Sequence, residues 1–185
     1  MWWTVAAAVA SYVGSACWLY EATRAGATAL WGVAACSLLG AWAGVGWSIA
    51  QCISATTSGL LLGLTMAAML LGHWYLNSPG MVLAPLRRLL VFMGISVLLD
   101  SIVSGVGIAA HINQSSASVP GWWLFIMLRW LFGLVGVAAL AAMAWQTLKI
   151  PNTQSATGIL YVAVIGTFVG ELTALLLSAG STFPV

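Results

Sequence analysis

Charge is what this chain has least of. Only 4% of its 185 residues are Asp, Glu, Lys or Arg, against 62% hydrophobic residues. A water-soluble domain carries roughly 25% charged residues. With so few, the fold cannot cover itself against water, so the bilayer is its solvent. A net charge of +2 on dispersed residues offers no basic patch for nucleic acid. Histidine is limited to His73 and His111. Cys17, Cys36 and Cys52 show no C-x-x-C spacing, which points to buried small residues rather than a redox or metal centre. There is no Gly-x-Ser-x-Gly elbow. Ser104 and His111 lie two turns apart on one helix, too far for a nucleophile and its base. Catalysis by a covalent intermediate is therefore not expected. The start Met1-Trp2-Trp3 has no basic n-region, so the first span is expected to be retained rather than cleaved.

What fills the chain is apolar helix. At about 20 residues per span, six spans use roughly 120 residues and leave short connectors, with no room for a soluble catalytic domain. The expected architecture is an all-α, polytopic transmembrane bundle forming a single integral membrane domain over 1–185. Its spans are read near 2–20, 27–50, 59–76, 86–110, 121–148 and 156–179. Ser54 to Ser58 reads as the polar turn before the third span, and His111 to Ser116 as an aqueous loop. Arg24, Arg87, Arg88 and Lys149 fall in the first, third and fifth connectors. The positive-inside rule places those connectors in the cytoplasm and both termini on the non-cytoplasmic side of an inner membrane. Trp2, Trp3, Trp47, Trp122 and Trp123 mark the outer belt, and Trp18, Tyr20, Trp74, Tyr75 and Trp145 the inner one.

Small residues suggest where helices meet. Gly32, Cys36, Gly40, Gly44 and Ser48 recur every fourth residue and form a packing seam along span two. Gly158, Gly166, Gly170, Ala174 and Ser178 make a broken row in span six. The expectation is a bundle with spans two and six near its centre, or a seam that receives another subunit. No residue pattern repeats between the two halves, so an inverted-repeat transporter has no support.

Three charges lie inside spans: Asp100, Arg129 and Glu171. A charge at the bilayer centre costs at least about 2.5–3.5 kcal/mol, so mutual pairing is expected. Two carboxylates against one guanidinium leave one negative charge, to be balanced by a proton, a cation or a partner. The alternative for Arg129 is to snorkel to the outer interface. Ser96, Asp100, Ser104 and His111 share one face of span four, and Thr167 lies one turn before Glu171 in span six. Such files can carry protons or line a solute cavity, or their hydroxyls can bond their own helix carbonyls.

At the opposite surface, His73, Trp74, Tyr75, Arg87 and Arg88 cluster at headgroup depth, where they can hold a quinone ring or a lipid phosphate. The polar run Pro151 to Gly158 shares that side and contains more amide and hydroxyl groups than a helix cap needs. His73 and His111 are expected at opposite membrane surfaces, so this chain alone holds no bis-histidine haem, although a haem shared with a partner stays open. No metal site is expected. Two functional classes remain. One is a non-catalytic subunit of a larger membrane complex, of respiratory or electron-transfer type, associating with other subunits or with itself. The other is a small-solute or proton-coupled transporter, or its substrate-binding membrane component, working through Asp100, Arg129 and Glu171.

Overall fold

In the computed structural model, which describes residues 2–78, 80–114, 121–150 and 152–179, every regular element is helical. The helices are α1 (Trp2–Leu19), α2 (Thr23–Val45), α3 (Ile49–Asn77), α4 (Ala84–Gln114), α5 (Trp122–Thr147) and α6 (Thr153–Ala179). Five stretches, Thr23–Val45, Ile49–Asn77, Ala84–Ala110, Trp122–Thr147 and Thr153–Ser178, are long and apolar enough to cross a membrane. The chain is thus a multi-pass integral membrane protein by helix length and composition. At 18 residues, α1 is about 27 Å long, near the thickness of the hydrocarbon core. The residues divide into two compact units, Met1–Thr56 and Thr57–Val185.

In the first unit α1 and α2 form a close antiparallel hairpin. A Cβ built at Gly14 would lie 3.2 Å from the Cβ of Ala29, one at Gly26 would strike the Trp18 indole at 2.7 Å, and one at Gly40 would lie 3.3 Å from Trp3. Small residues here let two backbones approach, as in membrane helix pairs generally. The hairpin turn closes when the Ala22 N–H donates to the Cys17 carbonyl and the Glu21 N–H to that of Trp18. This is a Schellman closure, and it holds Glu21 at φ 58°. A left-handed backbone strains a residue with a Cβ, and glycine relieves it. Glu21→Gly is therefore expected to stabilise the hairpin by ~1 kcal/mol, seen as a higher melting temperature in mild detergent; a lower one contradicts the assignment of the turn.

The turn after α2 lies earlier than the sequence suggests. Gly46 (φ 82°) and Trp47 (φ 61°) adopt left-handed backbone, and the Gly46 N–H donates to the Trp42 carbonyl. Helix α3 then begins at Ile49, so the polar run Ser54 to Ser58 is helical and not a turn. Thr56 donates its hydroxyl to the Cys52 carbonyl of that helix and accepts from Trp42 Nε1 of α2 at 3.0 Å. The small-residue stripe is shortened accordingly. Ser48 stands outside α2, Gly40 faces Trp3, and a Cβ at Gly32 or Gly44 would meet nothing within 4 Å.

The second unit has a well-packed core that includes Leu61, Ala68, Met93, Val97, Val137 and Leu160. Two close approaches set its geometry. A Cβ at Gly133 would lie 2.6 Å from the Gly170 backbone, and one at Gly170 would lie 2.5 Å from Gly133, so α5 and α6 cross backbone to backbone. Gly72 of α3 makes room for a side chain of α6, since a Cβ there would lie 2.8 Å from Thr157 Oγ1. Helix α5 is irregular: Arg129–Gly136 forms a π-helical segment between two α-helical stretches. Helix α4 runs to Gln114, about one turn further than expected. The remainder of the anticipated loop there, Ser115 and Ser116, lies outside the described residues, as do Pro79, Pro151 and the side chain of His111.

Candidate functional site

The membrane-embedded charges meet. On α4 the four-residue spacing of Ser96, Asp100 and Ser104 puts all three on the buried face, each 1–3% exposed. Arg129 is the first residue of the π-helical segment of α5 and is 2% exposed, so it does not snorkel. Its Nη2 lies 3.4 Å from Asp100 Oδ2, and its Nε donates to Ser104 Oγ at 3.1 Å. From the adjacent α3, Thr57 Oγ1 donates to Asp100 Oδ1 at 3.1 Å and Ser58 Oγ donates to the same oxygen at 3.4 Å. Glu171 on α6 is half-buried and lies close enough to Asp100 and Arg129 to interact with both electrostatically. Four helices thus converge on one ionic junction.

The close crossing of α5 and α6 positions this junction. Gly133 stands one turn after Arg129, and Gly170 immediately precedes Glu171. Their backbone contact therefore brings Arg129 and Glu171 within about one helical turn of each other in height. The wide π turn starts at Arg129 itself, a kind of irregularity often found at functional positions. Three buried polar atoms make no hydrogen bond among the described residues: Arg129 Nη1, Ser96 Oγ and Trp130 Nε1. The ion pair satisfies one edge of the guanidinium and leaves the other unpartnered. Thr167 takes no part, since its hydroxyl bonds the Ala163 carbonyl of its own helix.

At the other end of the unit the predicted aromatic and basic cluster separates into two groups. His73 pairs with Tyr161 of α6, its Nδ1 3.4 Å from the Tyr161 hydroxyl and the rings edge to face at 6.4 Å. Tyr75 is buried and ties down the α3–α4 turn by donating to the Val82 carbonyl at 2.8 Å. Trp74 is exposed. A cavity of about 450 Å3 lies beside this turn, lined by residues including Tyr75, Ser78, Leu83, Thr153 and Gln154. Arg87 belongs instead with α5, where its Nη2 donates to the Leu148 carbonyl at 2.7 Å, and Arg88 is exposed beside it. Within the polar run after Pro151, Asn152 Oδ1 accepts from the Ser155 N–H at 3.0 Å and caps α6. Among the described residues no group of three His, Cys, Asp or Glu side chains is placed to hold a metal.

No family model, curated protein or solved structure matches the chain. Its chemistry must be read from these side chains. The sequence alone brought out Asp100, Arg129, Glu171 and Ser104. It missed Thr57 and Ser58, which look like turn residues, and Tyr161, an apolar-looking position in a uniform helix. A junction of this kind can lock four helices in register, and its unpartnered guanidinium edge can receive one further acceptor.

Proposed function

We propose that the chain is a non-catalytic integral membrane subunit of a larger membrane assembly, of respiratory or electron-transfer type, that meets quinone or lipid at its inner face. It crosses the membrane six times, α1 included, with both termini on the non-cytoplasmic side and Arg24, Arg87, Arg88 and Lys149 on the cytoplasmic side. The observation that carries this reading is the dryness of the ionic junction. Asp100 and Arg129, 1% and 2% exposed, have their charges directed at each other and at hydroxyls of neighbouring helices. A solute carrier needs those groups to face a cavity; a scaffold subunit needs them to hold helices. The short connectors leave the assembly's chemistry to other chains, to which the small-residue stripe of α2 offers a close-packing face.

Extraction in mild detergent, with identification of co-purifying chains and a visible absorption spectrum, tests the proposal. The expected result is a defined set of partner chains with cofactor absorbance from the assembly. A colourless, monodisperse single protein overturns it.

A second reading, proton-coupled or small-solute transport, has its own support in the half-buried Glu171 and the unpartnered Nη1 of Arg129. In reconstituted vesicles that reading requires a flux abolished by Glu171→Gln.

A further inference from the structure

The second unit contains Arg87, Arg88, Arg129 and Lys149 as its cations and Asp100 and Glu171 as its only acids. Asp100 is paired with Arg129, and Glu171 lies near that pair. Asp100 lies thirteen residues along α4 from Arg87, about 20 Å at helical rise. Three of the chain's five basic residues are thus gathered at one end of α4 and α5 with no carboxylate of their own unit to balance them. Arg87 is fixed there by the Leu148 carbonyl at the C-terminus of α5, Lys149 follows directly, and the Arg88 side chain makes no hydrogen bond or ion pair among the described residues. The aliphatic stems of Arg87 and Arg88, with Val91, Phe92 and Trp145, line a shallow, wholly apolar groove of about 190 Å3.

We propose that this groove binds one anionic phospholipid, its phosphodiester held by Arg88 and the free edge of Arg87, its acyl chain lying on Val91, Phe92 and Trp145. The proposal rests on the membrane reading and sharpens the inner-face contact to a lipid on the α4–α5 side, away from His73 and Tyr161. The charge pattern calls for an anion from outside the unit. Guanidinium matches phosphate oxygens with paired N–H donors, and basic pockets between transmembrane helices are a known form of headgroup recognition. The apolar floor selects an amphiphile over a free anion. The tryptophan edge lies where indole rings prefer to sit, between headgroup and chain.

Native mass spectrometry of the purified full chain, with phosphatidylglycerol or phosphatidylcholine added to the micelle, reads the outcome. Wild type is expected to retain one phosphatidylglycerol in preference to phosphatidylcholine. Arg88→Gln is expected to weaken that retention roughly fivefold, and Trp145→Ala to weaken it for either lipid. Arg88 is exposed, so its variant tests binding without challenging the fold, whereas Arg87→Gln also removes the α5 cap. Equal retention of the two lipids, unchanged retention in Arg88→Gln, or displacement by excess glycerol phosphate each overturns the proposal. Lipid binding by a chain that purifies alone would sink the subunit reading and leave this one standing. Partner chains with no lipid preference would do the reverse.

Discussion

Arg129→Ala is expected to cost about 3–5 kcal/mol of stability, because removing one partner of a buried pair leaves the other charge uncompensated. The geometry makes the loss larger than that of one ion pair. Among the described residues Arg129 is the only cation beside Asp100 and Glu171, and it also donates to Ser104. Without it, Asp100 and Glu171 are left near each other with only hydroxyl groups, among them Thr57 and Ser58 on Asp100, to offset their charge. Alanine also leaves a cavity where one of the largest fully buried side chains stood. Thermal unfolding in mild detergent checks this, and a melting temperature equal to wild type refutes it.

The second large effect is expected at Gly170. A methyl there would lie 2.5 Å from Gly133 Cα, and the atom it strikes is backbone, which cannot rotate away. Gly170→Ala is therefore expected to force α5 and α6 apart and destabilise by roughly 1–3 kcal/mol. Moving either helix also pulls Arg129 or Glu171 out of level, so the junction loosens as well. Gly158 on the same helix supplies the control. A Cβ there meets nothing within 4 Å, and Gly158→Ala is expected to be neutral or to stabilise by up to about 1 kcal/mol through helix propensity. The same change at two glycines of one helix then gives opposite signs. Two equal effects would show that packing at Gly170 does not hold the crossing.

Much of this was legible in the sequence, for a physical reason. Charges are so scarce, and so costly in hydrocarbon, that three of them at similar depth on three helices had to find one another. That the chain is built of long apolar helices was legible because apolar runs have few other uses in a chain with so few polar residues, although α3 begins ten residues before the expected start at Gly59. The second connector was not. Gly46 and Trp47 turn the chain through left-handed backbone that only Gly46 advertises, whereas Ser54 to Ser58 look like a turn and are helix. Their hydroxyls disguised them, since Ser and Thr in a membrane helix can bond their own carbonyls or, as Thr57 and Ser58 do, a carboxylate on the next helix. The π-helical segment left no trace either, because Arg129 to Gly136 reads as ordinary apolar helix. The grouping of His73 with Arg87 and Arg88 failed for a different cause. Proximity along the chain suggested one cluster, but the α3–α4 turn directs His73 toward Tyr161 and Arg87 toward the end of α5.

A double-mutant cycle at Asp100 and Arg129 tests most directly whether the junction holds the bundle together. Asp100→Asn keeps the shape and leaves Glu171 nearby to offset the charge of Arg129, so a mild loss is expected, on the order of 1 kcal/mol. Arg129→Gln strands two carboxylates and is expected to be severe. The double variant removes the cation and one of the acids it neutralised, so it should melt above Arg129→Gln alone, with a coupling of about 1–3 kcal/mol. Losses that simply add, leaving the double variant the least stable of the three, would contradict a structural junction between these helices.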